Sequence, residues 1–219
     1  MADTTTIASL ATAGGTLVLA VATFGSTRTA NRAARVSEEA LLVGLRPVLF
    51  SARPEDPPQK VGFIDNHWVR LHDGLAAVQE ADGNVYLAMP LRNVANGIAV
   101  IHGWYLYPTR AGSDVEPEPV DQFHPHNRDL YVPAGDISFW QAAIRDPADP
   151  LYAPVKAAIE RAEGMSVDLL YGDHEGGQRT ITRFFLSPHP ARPHTDDKEP
   201  WMWMCAVVRH WNLDRADPR

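Results

Sequence analysis

The sequence predicts a mainly β protein: an N-terminal transmembrane helix and a stalk helix, then an antiparallel β-sandwich with one short inserted helix. Three observations carry this reading. No charged residue occurs from Thr4 to Thr27, and Arg28, Arg32 and Arg35 follow at once. Apolar positions then keep helical spacing to about Leu45. From Pro47 onward the pattern changes to short apolar or alternating runs punctuated by Pro, Gly, Asn and Asp. The chain therefore divides into an anchor at 1–27, a juxtamembrane stalk at 28–45, a sandwich domain at 46–213 and a tail at 214–219.

The anchor rests on length. A helix rises about 1.5 Å per residue, and roughly 20 apolar residues cross a hydrocarbon core about 30 Å thick. Ile7 to Gly25 supplies that length, although Thr, Ala and Gly dilute Leu10, Leu17, Val18, Leu19, Val21 and Phe24. Ser9 and Ala13, and likewise Ala11 and Gly15, are four apart, a spacing that lets two helices approach closely. Small residues also simply fill a weakly apolar span. Ala20-Val21-Ala22 resembles a signal-peptide cleavage site, but the early charge is Asp3 rather than a basic cluster. A retained span is favoured over a cleaved signal or a buried helix.

The stalk sets the orientation. Cytoplasmic flanks are rich in Lys and Arg, and the three arginines lie C-terminal to the span. The expectation is a single-pass protein of the cell membrane with its C-terminal domain in the cytoplasm. Arg28, Arg32 and Arg35 fall at i, i+4 and i+7, on one helical face. Each would contribute on the order of 1 kcal/mol against anionic lipid. Ala33, Val36, Ala40, Leu41 and Val43 continue an apolar stripe, and Pro47 ends the helix.

The formal net charge of the 219 residues is -7. Asp3, Glu38 and Glu39 balance the three arginines before residue 46, so the acidic excess belongs to the β domain. Such a domain is a poor generic binder of nucleic acid. The single cysteine, Cys205, excludes an intrachain disulfide and fits a reducing compartment.

Strands are expected at Val48–Ala52, Lys60–Ile64, Trp68–Leu71, Leu75–Gln79, Val85–Leu91, Ile98–Tyr107, Gln122–His124, Leu130–Val132, Ile137–Ala142, Ser166–Tyr171, Thr180–Leu186 and Met202–Trp211. Asp82-Gly83-Asn84 and Glu175-Gly176-Gly177 mark hairpins. Many short strands with frequent turns indicate an immunoglobulin-like sandwich or a barrel. A helix from about Pro154 to Glu163 is expected between them, with Gly164 as its stop. Arg53–Pro58, Pro188–Lys198 and the acidic Arg110–Pro119 read as surface loops.

Leu91-Arg92-Asn93-Val94-Ala95-Asn96-Gly97-Ile98-Ala99, the Arg46-Pro47-Val48 opening and Tyr171-Gly172-Asp173-His174-Glu175-Gly176 follow a span and a stalk. In this layout the chain resembles uncharacterised bacterial single-pass membrane proteins with a small β-sandwich after the anchor. The resemblance implies a fold and a location, and no activity. Physically, Asn93 to Ala99 reads as a turn or bulge, because Asn and Gly tolerate positive φ.

Candidate chemistry is sparse. His124-Pro125-His126 places two imidazoles on one side of an extended segment, and His189 and His194 lie in the Pro-rich loop. Brought together, these four would offer nitrogen ligands to zinc, but no HExxH or paired CxxC accompanies them. Cys205, between Met204 and Ala206, reads as core packing. Asp168, Asp173 and Glu175 read as ordinary acids of a strand and its turn. Trp104, Trp140, Trp201 and Trp203 are expected in the core, and Trp68 and Trp211 at the surface. No cofactor is expected.

The favoured function is a protein-interaction or scaffold module at the cytoplasmic membrane face, with membrane lipid and a protein partner or a second copy as its contacts. Two alternatives stay open: a metal-dependent enzyme using His124, His126, His189 or His194, and a membrane-linked sensor of a small ligand.

Overall fold

The chain's structure, a computed structural model, describes residues 4–190 and 201–217, without the side chains of residues 4–13, 18, 39 and 201. It forms two compact units, Met1–Gly44 and Leu45–Arg219.

The first unit is one helix, α1 (Thr4–Leu45), 42 residues long. Its length is about 63 Å at about 1.5 Å per residue. Thr23, Thr27 and Thr29 turn their hydroxyls back to the carbonyls of Leu19, Thr23 and Gly25, at 2.7, 3.0 and 2.9 Å. One uninterrupted helix thus covers residues 4–45, where an anchor followed by a stalk helix is expected. No helix among the described residues is long and apolar enough to cross a membrane. This departs from the transmembrane anchor expected over 1–27. The physical reason within the described part is dilution, because Gly14, Gly15, Thr16, Ala20, Ala22 and Thr23 separate the larger apolar side chains. The side chains of Ser9, Ala11 and Ala13 lie outside the described residues.

The second unit is mainly β. Its strands are β1 (Leu49–Ser51), β2 (Gln59–Gly62), β3 (Trp68–Leu71), β4 (Ala76–Ala81), β5 (Asn84–Asn93), β6 (Ala99–Tyr107), β7 (His124–Pro125), β8 (Tyr131–Val132), β9 (Ile137–Ile144), β10 (Met165–Asp173), β11 (Arg179–Pro188) and β12 (Trp201–Asn212). Helix α2 (Tyr152–Glu160) lies between β9 and β10. The expected strands are present, each displaced by two residues or fewer at most ends. β-branched and aromatic residues mark them, and turn residues separate them. Asp82 and Gly83, at φ 50 and 75, make the two-residue connection of β4 to β5.

All pairings are antiparallel. The main sheet runs β1-β5-β4-β12-β11-β10-β6-β7, with β9 on β5 and β8 on β6. It curls until its ends meet. Trp104 of β6 and Trp140 of β9 touch edge to face at 5.5 Å, although their strands stand at opposite ends of the sheet. The interior is lined from both halves, by Leu87, Met89 and Trp140 on one side and by Leu106, Leu169 and Phe184 on the other. The result is sandwich-like.

Two layers cover the outside of this sheet. The β2–β3 hairpin brings Val61, Phe63, Val69 and Leu71 onto Ala77, Tyr86 and Ala88. The segment between β6 and β7 lies over β10 and β11. There Ser166 accepts the Ala111 amide at 3.0 Å, and Arg183 donates to the carbonyls of Gly112 and Val115 at 2.8 and 2.7 Å. The acidic loop Arg110–Pro119 is therefore a fastened strap rather than the free surface loop its composition implies.

Two local expectations are corrected. Helix α2 ends at Glu160 and is stopped by Ala162, in the left-handed region at φ 53, rather than by Gly164; the Glu163 amide closes onto the Ala158 carbonyl at 2.8 Å. Trp211 is buried rather than exposed. The register shifts where Arg183 and Phe184 face Arg209 and Val207, so Val208 is an extra residue that reverses strand parity. Beyond it, Trp211 packs with Leu170 and Ile181 on the outer face.

Candidate functional site

The curled sheet leaves a cleft of about 270 Å³ at the seam between β9 and the segment after β7. Trp104, Pro125, Ala142 and Ala143 form part of its wall, and Phe63 and Ile64 reach in from the β2–β3 hairpin. His126, Asn127, Arg128, Gln141 and Arg145 supply its polar groups.

Local chemistry explains each position. Pro125 faces Gly103 in the β6–β7 pairing, and the His126 amide extends it to the His102 carbonyl at 2.9 Å. One residue earlier, His124 stacks on Trp104 at 4.5 Å. The hairpin tip turns at Asn66, which adopts φ 62, and the Phe63 amide bonds the His67 carbonyl at 2.8 Å. Asp65 fastens that tip, accepting the Tyr86 hydroxyl at 2.7 Å and Arg145 Nε at 2.8 Å. Burial works to raise the Asp65 carboxyl, but Arg145, Tyr86 and the His67 amide together hold it well below the usual carboxylate range.

The floor of the cleft is polar and incompletely bonded. Gln141 gives its Nε2 to Asp129 at 3.3 Å, which fixes the amide so that Oε1 is the remaining acceptor. That oxygen and His126 Nε2 are both buried without a hydrogen-bond partner. Burial lowers the His126 imidazole below its ordinary value, with Asp129 opposing, so the ring is neutral at neutral pH. Arg128 is exposed at the rim and has no ion pair among the described residues, whereas Arg145 is engaged by Asp65. The cleft lining thus holds two arginines and no carboxylate, in a chain of net charge -7. That lining contains no Ser, Cys, Lys, Asp or Glu.

The residues singled out in the sequence are scattered. Arg28, Arg32 and Arg35 are exposed on α1, and Gly15 is exposed on the same helix. His124 and His126 sit together at the cleft, one stacked and one buried. His189 follows β11, its amide bonded to the Met202 carbonyl at 3.2 Å, and His194 lies outside the described residues. Among the described residues no group of three or more His, Cys, Asp or Glu is placed to hold a metal ion. Cys205 packs as expected: its Sγ lies 3.8 Å from Met89 Sδ, and burial pushes the thiol up to about 12. Sequence reasoning missed Gln141, Arg128 and Arg145. The only local signal was a basic residue at each end of the seam.

The fold and cleft define a class, an antiparallel β domain with a small cleft at the seam of its curled sheet. Compared with protein-family models, with curated proteins and with solved structures, the chain matches none.

Proposed function

We propose that the chain is a binding module held at the cytoplasmic face of a membrane, where its β domain meets a protein partner or a second copy of itself. One observation carries this reading. From Gly14 to Thr27, α1 has no charge and leaves Leu17, Leu19, Val21 and Phe24 exposed around the helix. An uncharged helical stretch with large apolar side chains exposed around it is suited to cover by protein or by lipid. The back-bonded threonine hydroxyls lower the cost of a lipid environment, since those polar groups already have partners. Arg28, Arg32 and Arg35 then fall where anionic headgroups would meet them.

The resemblance to bacterial single-pass membrane proteins, and the immunoglobulin-like description of the domain, belong to the same proposal. Antiparallel pairing throughout and one interior lined from both halves of the sheet support the latter. The metal-enzyme alternative draws no support from the described residues.

Alkaline carbonate extraction of cells expressing the full chain tests the anchor, and protease treatment of intact spheroplasts tests the side. The expected result is a carbonate-resistant chain whose domain is protected. A chain released by carbonate, or a domain cleaved from outside, would overturn the reading. In-cell crosslinking is expected to capture a second copy or a partner protein.

A second reading, a sensor of a small ligand, is favoured by the cleft, whose floor holds two buried polar atoms without partners.

A further inference from the structure

The seam cleft combines three features that together specify a ligand. At its rim stands Arg128, an exposed guanidinium with no ion pair among the described residues. Its wall is apolar and aromatic, with Trp104, Phe63 and Ile64. At its floor, Gln141 Oε1 is an acceptor without a donor, held in that orientation by the Nε2 bond to Asp129. His126 Nε2, also without a partner, adds a neutral imidazole beside it.

Each feature demands something of an occupant. The rim arginine calls for an anion, and a planar carboxylate matches a guanidinium in two parallel bonds. The wall calls for a flat apolar body. The floor calls for a hydrogen-bond donor, because a buried acceptor left without one forfeits the hydrogen bond it makes in water. Size points the same way. A cleft of about 270 Å³ lies near the lower end of ordinary ligand sites and suits a one-ring molecule.

We propose that this cleft binds a small aromatic carboxylate carrying a hydroxyl or N–H at the end opposite the carboxylate. The carboxylate pairs with Arg128, the ring lies against Trp104 and Phe63, and the far donor reaches Gln141 Oε1 beside His126. This deepens the ligand-binding reading and rests on it alone; carbonate extraction reads the membrane proposal separately, so either can fail without the other.

The test is isothermal titration of the full-length chain in detergent with three probes: 4-hydroxybenzoate, benzoate, which lacks the donor, and 4-hydroxybenzamide, which lacks the charge. The expected result is saturable binding of 4-hydroxybenzoate at or below about 1 mM, with each of the others weaker by about tenfold. R128Q, at an exposed position, is expected to weaken 4-hydroxybenzoate about tenfold without changing the melting temperature. Q141L is expected to abolish the preference for 4-hydroxybenzoate over benzoate. Absence of saturable binding in the wild type, unchanged affinity in R128Q, or a preference retained in Q141L would each overturn the proposal.

Discussion

Arg183 grips Asp168 with two parallel bonds, Nε to Oδ1 at 2.7 Å and Nη2 to Oδ2 at 2.6 Å, and both side chains are fully buried. The guanidinium also bonds the Tyr107 hydroxyl at 3.1 Å and lies 4.8 Å from the Trp211 ring. A fully buried pair of charges survives only when its remaining donors are used, and here they are spent on the carbonyls of Gly112 and Val115. The pair is therefore the clamp that holds the strap over β10 and β11.

Breaking the clamp on one side leaves a buried carboxylate. R183M is expected to destabilise the chain by about 3–5 kcal/mol in urea unfolding. R183M/D168L is expected to cost less than R183M alone, since no uncompensated charge remains. In R183M, limited proteolysis is expected to cut first between residues 110 and 119. A strap as resistant as in the wild type would show that Arg183 is not its fastening.

How much of this was legible varies with range. The strands were legible, because Val, Ile and aromatic runs stop at Gly, Asn and Pro. The Asp168–Arg183 pair is legible too, although each residue by itself looks like an ordinary charged strand position. The Glu175-Gly176-Gly177 hairpin sets a register in which Gly172 faces Arg179, and four steps back Asp168 faces Arg183. The strap was not legible, since its acidic, Pro-containing composition is that of a free loop and its fastening lies two strands away. Trp211 stands on the outer face beyond the Val208 bulge and is buried there because Leu170, Ile181, Val120 and Phe123 pack around it, contacts that no local pattern encodes. The cleft was invisible for a different reason. Gln141 and His126 meet only when the curl brings the two ends of the sheet together, and no local pattern encodes that curl.

Asn93 ties the same curl. Its side chain donates to the carbonyls of Gly97 at 2.6 Å and Val132 at 3.2 Å, and accepts the amides of Ala95 at 3.2 Å and Val48 at 3.4 Å. At about 1 kcal/mol net per bond, N93A is expected to cost about 2–4 kcal/mol. N93D keeps the acceptor and loses both donations, so it is expected to be no more stable than N93A at neutral pH. Chemical denaturation of the two variants checks this; an N93D chain as stable as the wild type would refute the assignment.

Gly97 closes that corner against Leu45. A Cβ on Gly97 would overlap the Leu45 carbonyl oxygen, which is backbone and cannot rotate away. G97A is expected to destabilise the β domain by more than the few tenths of a kcal/mol typical of a surface change. Thermal unfolding followed by near-ultraviolet circular dichroism measures it, and a melting temperature equal to the wild type's would rule out the close approach.

Asp65 should leave a signature in the acid limb. Its carboxyl is held below the ordinary range in the folded state, chiefly by Arg145 and Tyr86 working against burial. A group with a lowered folded value binds its proton more readily when unfolded. Its contribution is therefore complete above the unfolded value, near about pH 4, and is lost as pH falls below that. D65N is expected to reduce stability at pH 7 and to flatten the loss between about pH 4 and pH 2. Urea midpoints across that range decide it: parallel curves for wild type and D65N would show that Asp65 is not titrating there.

The weak apolarity of α1 makes the membrane proposal unusually sensitive to one charge. Thr, Gly and Ala occupy many of its positions between Gly14 and Thr27, so the free energy favouring lipid rests on few large side chains. An arginine at a helix centre costs about 2.5–3.5 kcal/mol on insertion scales. Such a cost exceeds the gain from Leu17, Leu19, Val21 and Phe24 together, because each contributes only about 0.3–0.6 kcal/mol on the same scale. V21R is therefore expected to move the chain from the carbonate-resistant fraction to the soluble one. V21L, which preserves the apolar surface, is expected to stay in the pellet. If V21R instead stays membrane-bound while R28Q/R32Q/R35Q is released, the basic face rather than the uncharged run holds the chain, and the helix lies on the membrane without crossing it.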